Sequence, residues 1–347
     1  MNRLPPFAVV FGPTASGKSS LARRLHEHLH QGTEKHTAGG IEVISADSMQ
    51  VYRGMDIGTA KPPPRERDLF PHHLTDIRNP DEPFTVGDFV ELAEEAIRAA
   101  GSRGALPVVV GGTAFYLRCL LCGMPETPRS DAGVRGTIEE ELAEYGSARL
   151  RHELEQVDPQ SAARIAPADE YRLVRAIEVY RLTGRSRSSF GMPVTLRDEA
   201  RDAVVVGLSW PRELLYQRIN ARVEEMAREG LREELASLLR RGYGSGDPGL
   251  RAIGYREYLE SAEENISLKD SPDPRSTHVR SPGVSAETPP LPLDEVVVPR
   301  IQRNTRRFAK RQITFFRAFE QVRWIDGREP ETAAGSILDA LGRKCGG

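Results

Sequence analysis

Eight residues near the start of the chain, Gly12-Pro-Thr-Ala-Ser-Gly-Lys-Ser19, have the spacing G-x-x-x-x-G-K-[ST] of a phosphate-binding loop. Its glycines let the backbone curl so that N–H groups converge on an anion, and a following helix adds partial positive charge. Lys18 brings a full charge, and the Ser19 hydroxyl suits Mg²⁺. A second chemistry-bearing group is Asp47, in Ala46-Asp-Ser-Met-Gln50. An acid in this region of a phosphate-loop protein serves metal or substrate, or only caps a turn. A third feature is cationic: Arg300, Arg303, Arg306, Arg307, Lys310, Arg311 and Arg317, with no acid between Arg300 and Phe319. A run like this suits a phosphate backbone; the plainer reading is a solvated surface helix.

Elements must position these groups. Phe7–Phe11 reads as a buried strand entering the loop, and Ser19–Leu25 as the helix leaving it. Ile41–Ser45 is a second strand and carries Asp47 to the carboxyl end of a sheet, where open α/β proteins keep their chemistry. Thr85–Ala100 has helical periodicity, with Val86, Phe89, Leu92, Ala93, Ala96 and Ile97 on one face. Leu106–Val110 is a third strand, and Gly111-Gly-Thr113 opens the next helix. Strands alternating with helices predict an α/β fold: a P-loop NTPase-like parallel sheet flanked by helices.

The strand signal stops between Pro125 and Phe190. Ser130–Tyr145, Ala148–Gln156, Pro159–Ile165 and Asp169–Thr183 read as helices, an all-helical insertion domain. Strand character returns at Ala203–Ser209, a helix starts around Ser209–Glu213 with Pro211 in its first turn, and helices continue to about Asn265. The expected domains are therefore 1–125, 126–200 and 201–347. Within the last, Ser271–Pro299 holds seven prolines and reads as a flexible insertion, followed by an amphipathic helix over Arg300–Phe319. On that helix Arg303, Arg307, Lys310 and Arg317 share one side and Ile301, Phe308, Phe315 and Phe319 the other.

Composition excludes some classes. In 347 residues, 28% are charged and 39% hydrophobic, as a globular protein requires. No run of about 18 apolar residues exists, so no membrane span is expected, and the first apolar stretch is the core strand rather than a leader. The cytoplasm is the expected compartment. Three cysteines exclude a disulfide framework; Cys119-Leu-Leu-Cys122 has half a zinc-site spacing, against two half-buried helix positions. The net charge of −2 leaves any nucleic-acid signal to the local basic run.

Asp47-Ser-Met-Gln-Val-Tyr-Arg-Gly-Met-Asp-Ile-Gly-Thr-Ala-Lys-Pro62 resembles the signature of tRNA dimethylallyltransferases. Pro71–Ile77, Gly111–Thr113, Arg172–Glu178, Ile253–Arg256 and Asn304–Gln312 are similar to the family's other motifs, in the same order, over nearly the whole chain. The resemblance implies transfer of a dimethylallyl group from dimethylallyl diphosphate to N6 of adenosine 37, in tRNAs that read codons beginning with U. It implies that Asp47 is the base, with the Thr113 hydroxyl beside the acceptor. Gly12, Pro13, Thr14, Ala15, Ser16, Gly17, Lys18, Ser19 and Arg222 would hold the diphosphate, with Mg²⁺ on Ser19. Alone, Arg222 reads as a solvated helix arginine.

The same resemblance assigns tRNA contacts to Asp47, Ser48, Met49, Gln50, Thr113, Arg135, Tyr171, Arg172 and Arg175. It adds Arg251, Gly254, Tyr255, Arg256, Lys310, Arg311, Gln312 and Arg317. The partner would be the anticodon stem-loop, with the target base extracted into the pocket and the helical insertion closing over the RNA; a monomer is expected. Tyr171 stands where many relatives have Gln, which exchanges an amide contact for a stacking surface. Ala114 replaces a common Gly, and the proline-rich segment replaces a short connection. The zinc finger of some eukaryotic relatives is absent. Three alternatives stay open: a kinase on the same loop, although no strand ends in a Walker-B Asp; an adenylate isopentenyltransferase, against which the basic helix argues; and an RNA-binding protein with a vestigial loop.

Overall fold

A computed structural model describes residues 3–31, 39–269, 291–317, 319 and 322–345. Strand β1 (Phe7–Phe11) is buried along its whole length, as a strand covered on both faces must be. It runs through the phosphate loop into helix α1 (Lys18–Gln31). Then come β2 (Ile41–Ala46), the short helix α2 (Pro64–Arg67), β3 (His72–His73), α3 (Val86–Ser102), β4 (Leu106–Gly111) and α4 (Ala114–Cys122). Thr85 caps α3: its hydroxyl accepts from Asp88 N at 3.2 Å, and the Asp88 carboxylate accepts from Thr85 N at 2.7 Å. The face that α3 buries is Phe89, Ala93, Ala96, Ile97 and Ala100.

Four helices follow: α5 (Ala132–Tyr145), α6 (Ser147–Val157), α7 (Pro159–Arg164) and α8 (Glu170–Thr183). They belong to a compact unit, Cys122–Thr195, separate from the unit formed by Met1–Leu121 and Leu196–Gly347. The helical unit has its own core, with Ile138, Leu150, Leu154, Leu173, Val174 and Ile177 at its centre. Asp131, Asp158 and Asp169 cap α5, α7 and α8, each accepting the backbone N–H three residues on. Glu178, fully buried, accepts from Ser130 Oγ at 2.6 Å, Asp131 N at 2.9 Å and Arg175 Nη1 at 2.6 Å. Burial pushes its carboxyl up, but these donors outweigh burial and hold it below the usual glutamate range.

The larger unit resumes with β5 (Ala203–Ser209), α9 (Arg212–Arg228), α10 (Leu231–Arg240), α11 (Tyr255–Lys269), α12 (Asp294–Phe316), β6 (Arg323–Asp326) and α13 (Pro330–Cys345). The six strands form one parallel sheet in the order β3-β2-β4-β1-β5-β6. One face packs on α1 and α13 through Leu21, Leu25, Ala333, Ala334 and Ile337. A second core joins Val51, Tyr52 and Met55 of the Asp47–Pro62 segment to Leu231, Leu235 and Leu238 of α10, Tyr255 and Tyr258 of α11, and Val297 and Ile301 of α12. That segment has little regular structure of its own, and these buried anchors order it.

Five expectations are corrected. The two edge strands β3 and β6 were not anticipated: each is short, and neither carries the buried apolar run of a central strand. Residues 270–290 of the proline-rich segment lie outside the described residues, but its last part is helical: α12 begins at Asp294, not Arg300. Asp294 and Glu295 suit a helix N-terminus. Burying Val297 and Ile301 gains about 1.5–3 kcal/mol each, which offsets the roughly 3 kcal/mol cost of Pro299 inside the helix. The inner face of α12 is also rotated from the one expected: Val297, Ile301, Ala309, Gln312 and Phe316 are buried, while Phe308 and Phe315 are only half-buried and Phe319 lies past the helix end. Pro211 precedes the first turn of α9 as its N-cap. Cys119 and Cys122 are buried on α4, more deeply than the half-burial expected.

Candidate active site

The sheet register brings the candidate groups together. Gly111, at the end of β4, stands opposite Phe11 of β1 on one side and Ala46 of β2 on the other. The phosphate loop, Asp47 and Thr113 therefore leave the carboxyl ends of three adjacent strands. A Cβ on Gly111 would fall 2.1 Å from Ala46 O, so this close approach requires glycine. Thr113 laces two of the strand ends: its N–H donates to Ala46 O at 3.1 Å, and its Oγ1 accepts from Ser48 N at 3.0 Å. Asp47 Oδ1 accepts from Met49 N at 2.9 Å, so the carboxylate caps its own turn and keeps one oxygen for other partners.

The phosphate loop curls through Ala15 (φ 62°) and Gly17 (φ 92°). A Cβ on Gly12 would meet Ser16 Oγ at 2.7 Å. Lys18 Nζ donates to Gly12 O at 3.1 Å and Pro13 O at 2.9 Å, which holds the ammonium over the loop mouth. Burial chiefly, then the neighbouring Arg222 charge, push the Lys18 ammonium down to about 8, and Asp47 opposes them. Arg222 of α9 is likewise lowered by burial and supported first by Asp47. Lys18, Arg222 and Asp47 thus form one electrostatic cluster of two cations and a carboxylate. Arg222 is half-buried rather than solvated.

Three residues downstream hold three consecutive loop residues. Gln312 Oε1 accepts from Thr14 N at 3.1 Å, Arg218 Nε donates to Ala15 O at 2.8 Å, and Trp210 Nε1 donates to Ser16 O at 2.9 Å. The Arg218 guanidinium also stacks 4.3 Å over the Trp210 ring. Ser19 is exposed in the first turn of α1. Among the described residues no group of three or more His, Cys, Asp or Glu could hold a metal ion. The Ser19 hydroxyl, exposed beside an anion-binding loop, is the kind of oxygen donor that would suit Mg²⁺.

The residues expected to touch RNA divide into two sets. Lys310, Arg311 and Arg317 are exposed on and just after α12, and Arg251 is exposed before α11. In the helical unit Tyr171 and Arg172 are exposed, and the Arg135 guanidinium lies 5.1 Å over the Tyr171 ring. Arg256 pairs with Glu257 and Glu260. Others are spent on the fold. Gln50 accepts from Ser45 Oγ and donates to Thr59 O and Ala60 O. Met49 packs against the second core. Tyr255 is fully buried with its hydroxyl on Glu234 at 2.6 Å, which pushes the phenol far above its ordinary range. Gly254 has φ 110°, a conformation that favours glycine. Arg175 is engaged by Glu178 and Pro128 O. Gln312 is buried, so it is no surface contact.

The IPP transferase family profile matches residues 50–319. A tRNA dimethylallyltransferase of Geobacter sulfurreducens is 41% identical, over 92% of this chain and 91% of that one. The chain belongs to the tRNA dimethylallyltransferase family. A relative of the same description from Moorella thermoacetica is 39% identical over 97% of this chain and 95% of its own. The crystal structure of the full-length tRNA isopentenylpyrophosphate transferase of Bacillus halodurans aligns with a TM-score of 0.63 at 34% identity, covering 98% of each chain. In this tRNA dimethylallyltransferase-family enzyme, Trp210, Arg218 and Glu234 are residues that sequence reasoning missed. A signal existed for Arg218, which lies one helical turn from Arg222 and shares its face. Glu234 accepts from the backbone N–H groups of Asp56, Ile57 and Gly58, and no local pattern announces that. No described helix is long and apolar enough to cross a membrane.

Proposed function

We propose that this enzyme transfers a dimethylallyl group from dimethylallyl diphosphate to N6 of adenosine 37, in tRNAs that read codons beginning with U. The observation that carries the reading is the meeting of a phosphate loop, two partly desolvated cations and a carboxylate at three adjacent strand ends. The adenine amine is a weak nucleophile because its lone pair is delocalised into the ring. The allylic carbon compensates by tolerating positive charge as its bond to the diphosphate oxygen breaks. Loop N–H groups, Lys18 and Arg222 stabilise charge on the departing diphosphate. As the N6–carbon bond forms, Asp47 takes the N6 proton, and Thr113 holds the turn that presents Asp47 and Ser48. Mg²⁺ held by Ser19 would add charge neutralisation on the diphosphate.

The acceptor is the anticodon stem-loop. Lys310, Arg311, Arg317 and Arg251 meet its phosphates, and Tyr171 and Arg172 of the helical unit supply further contacts. A monomer acting in the cytoplasm accords with this reading. The test is incubation with dimethylallyl diphosphate, Mg²⁺ and an anticodon stem-loop carrying A36-A37, with nucleoside mass spectrometry as readout. A prenyl mass gain on A37 is expected. No gain in a folded preparation that binds the RNA overturns the proposal. Stem-loops with U36, G36 or C36 in place of A36 test the codon preference.

A further inference from the structure

Gln312 lies near the C-terminal end of the strongly cationic helix α12, next to Arg311, yet it is only 5% exposed. Its amide is fully directed. Oε1 accepts from Thr14 N at 3.1 Å, and Nε2 donates to Gly112 O at 2.8 Å. Thr14 belongs to the phosphate loop, and Gly112 precedes Thr113 on the acceptor side. A buried amide with both ends engaged has a strongly preferred orientation, because flipping it would oppose N–H to N–H and oxygen to oxygen. The neighbouring glycine gives an independent sign of close fit: a Cβ on Gly112 would fall 2.4 Å from Gln312 Nε2.

We propose that Gln312 is a positioning residue that holds the diphosphate loop and the Gly112-Thr113 segment at a fixed separation, rather than an RNA contact. The inference rests on the transfer reaction proposed above. In that reaction the leaving diphosphate and the incoming N6 must stand on opposite sides of one carbon. Their alignment then depends on the spacing of the two segments that hold them. Gln312 sets this spacing directly, with one end on each segment. Its neighbours Lys310 and Arg311 turn outward, so one stretch of α12 carries surface charge on one side and active-site support on the other.

Gln312→Met keeps the length and removes both polar ends. Its affinity for the anticodon stem-loop is expected to stay within about twofold of the parent, because Lys310, Arg311 and Arg317 are untouched. Its KM for dimethylallyl diphosphate should rise and its kcat fall, each about tenfold, and its affinity for inorganic diphosphate should weaken. Gly112→Ala, which pushes the amide away, should give the same pattern. Gln312→Glu should lose as much as Gln312→Met, since a carboxylate still accepts from Thr14 N but offers no donor to Gly112 O. Weakened RNA binding with unchanged KM for the diphosphate donor overturns the proposal.

A measurement on the unaltered enzyme covers the case of variants that fail to fold. Amide hydrogen exchange at Thr14 should be slow without any ligand, because Gln312 occupies that N–H; fast exchange there also overturns the proposal. Exchange and inorganic diphosphate binding need no transfer chemistry. Absence of prenylation by the parent would therefore remove the proposed function while leaving the role of Gln312 to be decided by these two readouts.

Discussion

Two regions of this enzyme carry positive charge suited to phosphate, and they do it in opposite ways. At the strand ends Lys18 and Arg222 are withdrawn from water, press on one another and lean on Asp47, and Lys18 is lowered to about 8. On and just after α12, Arg303, Arg307, Lys310, Arg311 and Arg317 stand exposed. The first region uses few charges in a low-dielectric setting, where each interaction is strong and specific in direction. The second uses many charges in water, where each is weak, screened by salt and tolerant of geometry. The difference fits the two tasks of the proposed reaction: stabilising charge that develops on one leaving group, and holding a long polyanion.

The comparison is broken most severely at the carboxylate. Asp47→Asn should lower turnover by about 10²–10⁴-fold while RNA affinity stays near the parent's, read by single-turnover prenylation and by filter binding. Turnover near the parent's would remove Asp47 as the base. Next, Lys18→Met removes one desolvated charge. It should weaken diphosphate binding by about 10–100-fold, the range for a charge-assisted bond, with RNA affinity unchanged in calorimetry at any salt.

The exposed set responds differently. Replacing Lys310, Arg311 and Arg317 together by Gln should reduce RNA affinity by about 10–30-fold in low salt. It should also flatten the log Kd against log salt slope by about two to three units, with KM for dimethylallyl diphosphate unmoved. A slope as steep as the parent's would mean that α12 does not meet the phosphates.

The smallest effect is on pH. Lys18 has a folded-state value below the ordinary lysine value of 10.5, so its cation is present at pH 7 and lost as pH rises through about 8. Diphosphate affinity of the RNA-free enzyme should therefore fall about tenfold between pH 7 and pH 9, and binding near pH 8 should take up protons. RNA affinity at fixed salt over the same range is the control. Equal pH dependence in both would erase the contrast between buried and exposed charge.

Much of the first region was legible in the chain. The loop spacing, the apolar runs before Gly12 and Asp47, and the Gly111-Gly-Thr113 turn are local patterns, and local patterns specify local backbone. The edge strands His72–His73 and Arg323–Asp326 were not legible, since strands this short depend on a neighbour for pairing. The inner face of α12 was misjudged for a different reason. An apolar stripe about 100° wide admits neighbouring rotations, and Phe308 and Phe315 weigh more in such a pattern than Ala309 and Gln312. The inner positions are a small residue and a buried amide, which periodicity does not register.

The sequence by itself determined that the chain makes a phosphate loop at the head of a parallel sheet, that a carboxylate follows the next strand, and that a basic helix follows the proline-rich segment. Those features depend on residues within a few positions of each other. Only the tertiary structure decided that Arg222 stands beside Lys18, that Trp210, Arg218 and Gln312 hold Ser16, Ala15 and Thr14, that Tyr255 is internal, and that Gln50 is spent on the Thr59–Ala60 backbone. These pairs are separated by about 200 to 300 residues of chain where they support the loop. Composition and spacing carry no information on which polar side chain of a distant helix turns inward. That choice falls to the packing of the sheet against its helices, where a buried amide persists because both of its ends find partners.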